Sequence, residues 1–96
     1  MVINKPIDVL HIVSERSEEL ANLGRVDPDA LAKVIMTLVE LRGYLQQAED
    51  DRRAANFFKE RHMPYKFLIE LFEYDLRQAR FCAERFDEMM NRNKES

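Results

Sequence analysis

Residues 64–92 read PYKFLIELFEYDLRQARFCAERFDEMMNR, and this stretch decides the fold. At 100° per residue, its apolar side chains form two stripes on one helix. The first stripe is Tyr65, Leu68, Phe72, Leu76, Ala79, Ala83, Phe86 and Met90. The second, on nearly the opposite side, is Phe67, Leu71, Tyr74 and Phe81. Together they span roughly 240° of the helix, against the roughly 100° that a surface helix usually buries, so this helix needs neighbours on two sides.

Composition places the chain among small helical proteins. Its 96 residues are 46% hydrophobic and 34% charged, with two glycines and three prolines, which is typical of one helical domain. The single cysteine excludes an internal disulfide and favours a reducing compartment. No apolar run approaches the roughly 18 residues of a membrane span, and the N-terminal segment lacks the charge and cleavage site of a signal peptide. We therefore expect a cytoplasmic protein that does not contact a membrane.

Residues 5–23 are predicted to form a short first helix. Leu10 and Leu20 would share its apolar face, and Gly24 would end it in a left-handed conformation. The β-branched character of residues 7–13 leaves a short strand as the alternative. Helix is favoured because a lone strand has little stability without a second strand to pair with.

A second helix is predicted over residues 28–62. Asp27 can cap its free N–H groups, and Pro28 suits the first helical position. Apolar residues then recur with strict three- and four-residue spacing, as in a coiled-coil seam: Leu31, Val34, Leu38, Leu41, Leu45 and Ala48. Residues 46–53 are polar on all sides, so the helix either continues through them as a solvated stretch or breaks near Asp50.

Pro64 disfavours helix at the residue before it and separates the second helix from a third, over residues 64–92. The predicted fold is all-α: an elongated hairpin of two long helices with a short N-terminal helix. Its seam would join Leu31, Val34, Leu38, Leu41 and Leu45 to Leu68, Phe72, Leu76 and Phe86. Because the short helix covers only part of the hairpin, we expect two copies to form a dimeric helical bundle.

Two charged residues interrupt the apolar faces of the long helices. Arg42 projects near the middle of the apolar face of its helix, and Asp75 lies between the two stripes of the last helix. A buried lone charge is costly, so we predict that Arg42 and Asp75 pair, within a chain or across a dimer, and thereby fix the register. The alternative is that Arg42 extends its charged group to solvent.

The sequence holds no constellation that predicts catalysis. His11 and Glu15 are four residues apart, but a metal site needs three or four ligands. Cys82 falls inside the apolar arc, where a thiol is a small hydrophobic group rather than a nucleophile. Ser14 and Ser17 lie on the first helix, but neither forms a recognisable nucleophile–base arrangement with a histidine. We therefore predict no enzymatic activity, no metal and no cofactor.

A short basic segment offers an alternative function. Residues 52–66 contain one acidic residue and five basic ones, with aromatic residues interleaved. Such a pattern can bind nucleic acid or an acidic partner. The net charge of −3 argues against nucleic acid, as does the lack of a recognisable helix-turn-helix. The residues that would make this contact are Arg52, Arg53, Lys59, Arg61 and Lys66.

The function that the pattern favours is protein–protein interaction. The last helix is too apolar for one hairpin to cover, which indicates a second copy of the chain or another protein as the partner. We predict a non-enzymatic module, a small regulator, adaptor or inhibitor-type protein, that binds through Phe67, Leu71, Tyr74 and Phe81.

Overall fold

The computed structural model describes residues 3–95, except for the side chains of residues 93–95. It contains four helices: α1 (Pro6–Glu15), α2 (Ser17–Val26), α3 (Pro28–Glu60) and α4 (Lys66–Glu95). No strand occurs in the described residues. The long helices α3 and α4 form an antiparallel hairpin, and α1 and α2 pack mainly on α3. The molecule measures 55 × 20 × 19 Å, so the predicted all-α, elongated hairpin is confirmed.

The N-terminal segment is helical, but it forms two helices where one was predicted. The break falls at Arg16, whose φ of −110° and ψ of 23° depart from helical values. The guanidinium of Arg16 lies over the ring of Phe86 at 5.3 Å and pairs with Glu19 at 2.9 Å and with Asp87 at 3.5 Å. It therefore connects the junction of α1 and α2 to one edge of α4.

The predicted apolar face of the first helix was partly wrong. Leu20 is buried, but Leu10 is exposed, and the residues that join the core with Leu20 are Val9, Ile12 and Leu23.

Gly24 does not end a helix, because α2 continues through it to Val26. It has no positive φ. What it provides is space: a Cβ at this position would lie 2.6 Å from Cδ2 of Leu31, closer than two carbons can approach without displacement. Gly24 thus lets α2 pack tightly against the start of α3.

Helix α3 begins as predicted and runs unbroken for 33 residues. The Asp27 carboxylate accepts a hydrogen bond from the N–H of Ala30 at 3.1 Å, and Pro28 is the first helical residue. The polar stretch near residue 50 does not break the helix. Arg53 pairs with Glu49 at 2.6 Å, one turn apart, which supports the helix within this polar stretch.

The C-terminus of α3 ends in a Schellman motif. His62 has a φ of 56°. Its N–H donates to the carbonyl of Lys59 at 3.1 Å, and the N–H of Met63 donates to the carbonyl of Phe58 at 2.9 Å. Pro64 then follows directly, at a position where proline is common because it cannot extend the helix.

His62→Gly should raise the free energy of unfolding by about 0.5–1 kcal/mol. A side chain in the left-handed region costs roughly 1–2 kcal/mol, and glycine removes that cost while adding some unfolded-state entropy. Urea denaturation followed by circular dichroism measures the change. Arg61→Gly is the matched control, because the φ of −98° at Arg61 suits any residue, so this variant should lose stability. A less stable His62→Gly protein would contradict the expectation.

The core lies between α3 and α4, with α1 and α2 covering one side. Val34, Leu38, Leu41 and Leu45 of the predicted seam are buried, as are Leu68 and Phe86. Leu31, Phe72 and Leu76 are half-buried at its border. The remaining α4 residues of the core are Ala79, Cys82 and Met90.

Candidate functional site

Helix α4 leaves one apolar stripe outside the core. Phe67, Leu71, Tyr74 and Phe81 each keep between 47% and 61% of their surface exposed. Their neighbours on the adjacent face, such as Leu68 and Phe86, are buried against the rest of the chain. Only one of the two stripes of α4 is therefore covered within a single chain.

The exposed stripe is longer and more regular than its aromatic residues suggest. Including Gln78 and Arg85, its members follow one another at intervals of four, three, four, three and four residues. This alternation is the heptad pattern of helices that pack in coiled-coil fashion. We define the exposed seam as Phe67, Leu71, Tyr74, Gln78, Phe81 and Arg85, of which Gln78 is half-buried and the others are exposed. The spacing was present in the sequence, but the polar character of Gln78 and Arg85 hid their membership.

Helix α3 borders the exposed seam along one side. The rings of Phe58 and Phe67 have centroids 6.4 Å apart near the hairpin turn. Towards the other end, a guanidinium nitrogen of Arg85 lies 3.6 Å from a carboxylate oxygen of Glu40. These contacts show that both ends of the seam lie beside α3. The contacts of Arg16 are made at Phe86 and Asp87, on a different edge of α4, so α1 and α2 leave the seam uncovered.

A carboxyl pair lies inside the hairpin next to this surface. Asp75 is 6% exposed and lies beside the carboxyl group of Asp51 on α3. Burial, followed by the effect of the neighbouring Asp51 carboxyl group, raises the pKa of Asp75 from 3.8 to about 6. Desolvation disfavours the charged carboxylate, and a neighbouring carboxylate adds to that effect.

The predicted Arg42–Asp75 pair does not form within the chain. Asp51 faces Asp75 across the hairpin, so Arg42 lies nine residues, or about 13 Å, away along α3 at 1.5 Å per residue. Arg42 is exposed to solvent, as the alternative held. The prediction was wrong within one chain because the sequence pattern shows which face of a helix a residue occupies. It does not show which residues of α3 and α4 lie opposite each other in the hairpin. The pair across a dimer stays a prediction.

The basic residues of the hairpin end do not form one stripe. Arg53 is paired with Glu49, and Arg61 stacks on the ring of Phe57 at 3.5 Å. Lys59 and Lys66 line an open cleft of about 730 Å³ together with His62, Tyr65 and Phe67. Arg52 lies apart from them, beside Lys5 and Phe72. The structure therefore divides the five cations among separate surroundings.

The two remaining candidate nucleophiles or metal ligands, Cys82 and His11, lie in separate parts of the described structure. Cys82 is buried, and desolvation together with the charge of Glu40 raises the pKa of its thiol despite the opposing charge of Arg85. His11 is exposed, with Nδ1 3.9 Å from an Asp8 oxygen. Among the described residues, no three His, Cys, Asp or Glu side chains come together as metal ligands would.

Comparisons of the chain with protein-family models, with curated proteins and with solved structures find no match. Within residues 3–95, no helix combines the length and the apolar character that crossing a bilayer requires. The fold and the site together define a class: an all-α helical hairpin that carries an uncovered heptad seam on its last helix.

Proposed function

We propose that this chain is a non-enzymatic protein-interaction module that associates with a second copy of itself through the exposed seam. It would act as a small regulator or adaptor-type protein in the cytoplasm, a compartment that suits its free buried thiol. The observation that carries the proposal is that α4 has two heptad faces and the chain covers only one.

The size of the seam supports a specific interface. Four side chains that each leave about half their area exposed present roughly 400 Å² of apolar surface. A patch of this size on a small protein commonly marks an interaction site. Isolated exposed apolar residues would carry no such meaning, but these four stand on one face at helical spacing.

A second hairpin fits the available area. From Phe67 to Arg85 the seam is about 27 Å long at 1.5 Å per residue, and the molecule is about 20 Å wide. Contact over that face would bury about 540 Å² on each protomer and about 1,100 Å² in total, which exceeds the roughly 1,000 Å² expected of a biological interface. Two hairpins joined in this way would give a bundle of four long helices.

Phe67→Ala combined with Tyr74→Ala should weaken self-association more than folding. Both side chains are about half exposed in one chain, so their truncation removes interface area while leaving the core intact. We expect the wild-type chain to sediment as a dimer at tens of micromolar and the double variant to sediment as a monomer. Circular dichroism of the double variant should keep the helical content of the wild type.

Ile7→Ala combined with Leu10→Ala provides the matched control. These residues are similarly exposed, but they lie on α1, away from the seam. This variant should keep the wild-type mass. A monomeric wild-type chain, or a dimer that the Phe67 and Tyr74 substitutions leave intact, would contradict the proposal.

Nucleic-acid binding is a second candidate, favoured by the cleft at the hairpin end. Two lysines and two aromatic rings line it, and such groups can hold a phosphate backbone and stack with bases. This candidate is placed second because the other cations, Arg52, Arg53 and Arg61, lie in separate surroundings and do not extend the cleft. Titration with short duplex and single-stranded DNA separates the two: nucleic-acid binding would weaken steeply with salt, whereas self-association through an apolar seam would not.

A further inference from the structure

The exposed seam has a spacing that reads the same in both directions. From Phe67 to Arg85 the intervals are four, three, four, three and four residues. When two identical helices pack antiparallel, the first seam position of one helix lies opposite the last seam position of the other, and the remaining positions pair inward in the same way. The spacing therefore permits the whole seam to match its own copy in an antiparallel pair, as it does in a parallel pair, and the residue types decide between the two.

We propose that two copies pack antiparallel along α4, with the two-fold axis between Tyr74 and Gln78. This rests on the proposed self-association and specifies its geometry. The axis sets Leu71 against the partner's Phe81 and Tyr74 against the partner's Gln78. At the ends, Phe67 lies against the partner's Arg85. Each contact occurs twice, as a two-fold interface requires.

The side chains at these positions are chemically complementary in the antiparallel arrangement. At the centre, the amide of Gln78 can hydrogen-bond with the phenol of the partner's Tyr74. One polar residue within an apolar seam fixes register and orientation. At each end, the guanidinium of Arg85 can lie on the ring of the partner's Phe67, an attractive contact between a cation and an aromatic face. Leu71 and Phe81 supply apolar contact between centre and ends.

A parallel arrangement is disfavoured by the same residues. It would set each position against itself, so that Arg85 faces the partner's Arg85 within the seam. Like charges held together in a desolvated interface are unfavourable. Glu40 neutralises part of the charge from the α3 side, but it lies outside the row of seam positions. The antiparallel arrangement separates the two Arg85 residues by 18 residues of helix.

Disulfide trapping distinguishes the two arrangements. In a Cys82→Ala background, Leu71→Cys and Phe81→Cys are made as separate single variants. An antiparallel pair sets these positions against each other, whereas two copies of residue 71 stand ten residues, or about 15 Å, apart along the axis. A disulfide needs Cα atoms less than about 7 Å apart. We expect a cross-linked dimer from the equimolar mixture and none from either variant alone.

Spin-label distances give a second readout that leaves the seam unaltered. Arg77 and Glu84 are exposed, so labels attached through Arg77→Cys and Glu84→Cys, again without Cys82, should not disturb the contact. The antiparallel axis predicts axial separations of about 3 Å between the two copies of residue 77 and about 24 Å between those of residue 84. A parallel pair predicts similar distances at both sites.

The outcomes of these experiments distinguish a failure of the antiparallel geometry from a failure of the proposed self-association. Cross-linking of Leu71→Cys with itself, or equal distances at the two labelled sites, would overturn the antiparallel geometry while the dimer stands. A chain that sediments as a monomer at every concentration would overturn both. Cross-linking in the mixture alone, together with a distance about 10 Å or more longer at residue 84, supports the geometry.

Discussion

Leu41→Ala should lower the free energy of unfolding by about 3–4 kcal/mol, which is among the largest effects expected of a single core substitution in this chain. Leu41 lies in the middle of α3, is 0% exposed and belongs to the cluster that joins α3 to α4. Removing three carbons from a leucine enclosed on all sides forfeits transfer free energy and leaves a cavity that long helices close poorly. Because small domains have only about 5–15 kcal/mol of stability, this loss is a large fraction of the total.

Urea denaturation at one fixed protein concentration measures the loss, since self-association would make stability depend on concentration. Val39→Ala is the matched control: it lies two residues away on the same helix and is 65% exposed. Exposed substitutions usually change stability by less than about 0.5 kcal/mol. Similar losses in the two variants would show that the hairpin is not packed through Leu41.

The hairpin itself could be predicted because its signals are local and repeat along the chain. The spacing from Leu31 to Leu45 places five apolar residues on one face, whatever lies opposite. Asp27 with Pro28 marks the start of α3, and Pro64 marks the point where the chain turns. Periodicity and helix boundaries depend on neighbours within one or two turns, so the sequence contains them.

The features that sequence analysis missed depend on which residues stand at the same level in the packed hairpin. Arg42 and Asp75 both lie on faces that look apolar, yet only the antiparallel register shows that Asp51 faces Asp75. The role of Gly24 likewise depends on the approach of Leu31. Neither relation leaves a local signal, because the contacting residues are far apart along the chain or belong to different helices.

The candidate site was predictable in part. Phe67 and Tyr74 were identified because apolar residues on an already apolar helix exceed what one hairpin can cover. Gln78 and Arg85 were missed because a search for hydrophobic residues ignores polar members of a heptad. Spacing alone, without regard to residue type, would have found them.

Asp75→Asn should stabilise the protein at pH 7.5, by an amount on the order of a few kcal/mol, and leave its stability nearly unchanged at pH 4. The pKa of Asp75 is raised from 3.8 to about 6, because the carboxylate is desolvated and lies beside Asp51. An acid whose folded pKa lies above its unfolded pKa binds its proton more tightly in the folded state. The stabilisation of the folded state by this tighter proton binding is complete below pH 3.8 and is lost as the pH rises to 6. The difference between the two pKa values corresponds to an energy on the order of a few kcal/mol.

The amide that Asp75→Asn introduces cannot ionise and can donate a hydrogen bond to Asp51. The stability of this variant should therefore not fall between pH 3.8 and pH 6. The pKa of Asp8 is lowered, mainly by hydrogen bonds from the N–H groups of Asn4 and Lys5. Its contribution is therefore lost only as the pH falls below about 4, outside the window that Asp75 controls.

Urea denaturation from pH 4 to pH 8 at fixed protein concentration tests this expectation. Asp50→Asn is the matched control, because Asp50 is an exposed carboxylate next to Asp51 and should retain the wild-type slope. Wild-type stability that rises between pH 4 and pH 7, or an Asp75→Asn protein less stable than the wild type at pH 7.5, would show that Asp75 is ionised at little cost. A fall in the wild-type free energy of unfolding over this range would instead mean that the hairpin retains a destabilising acid between α3 and α4, where an apolar residue or an amide would hold the two helices together more firmly.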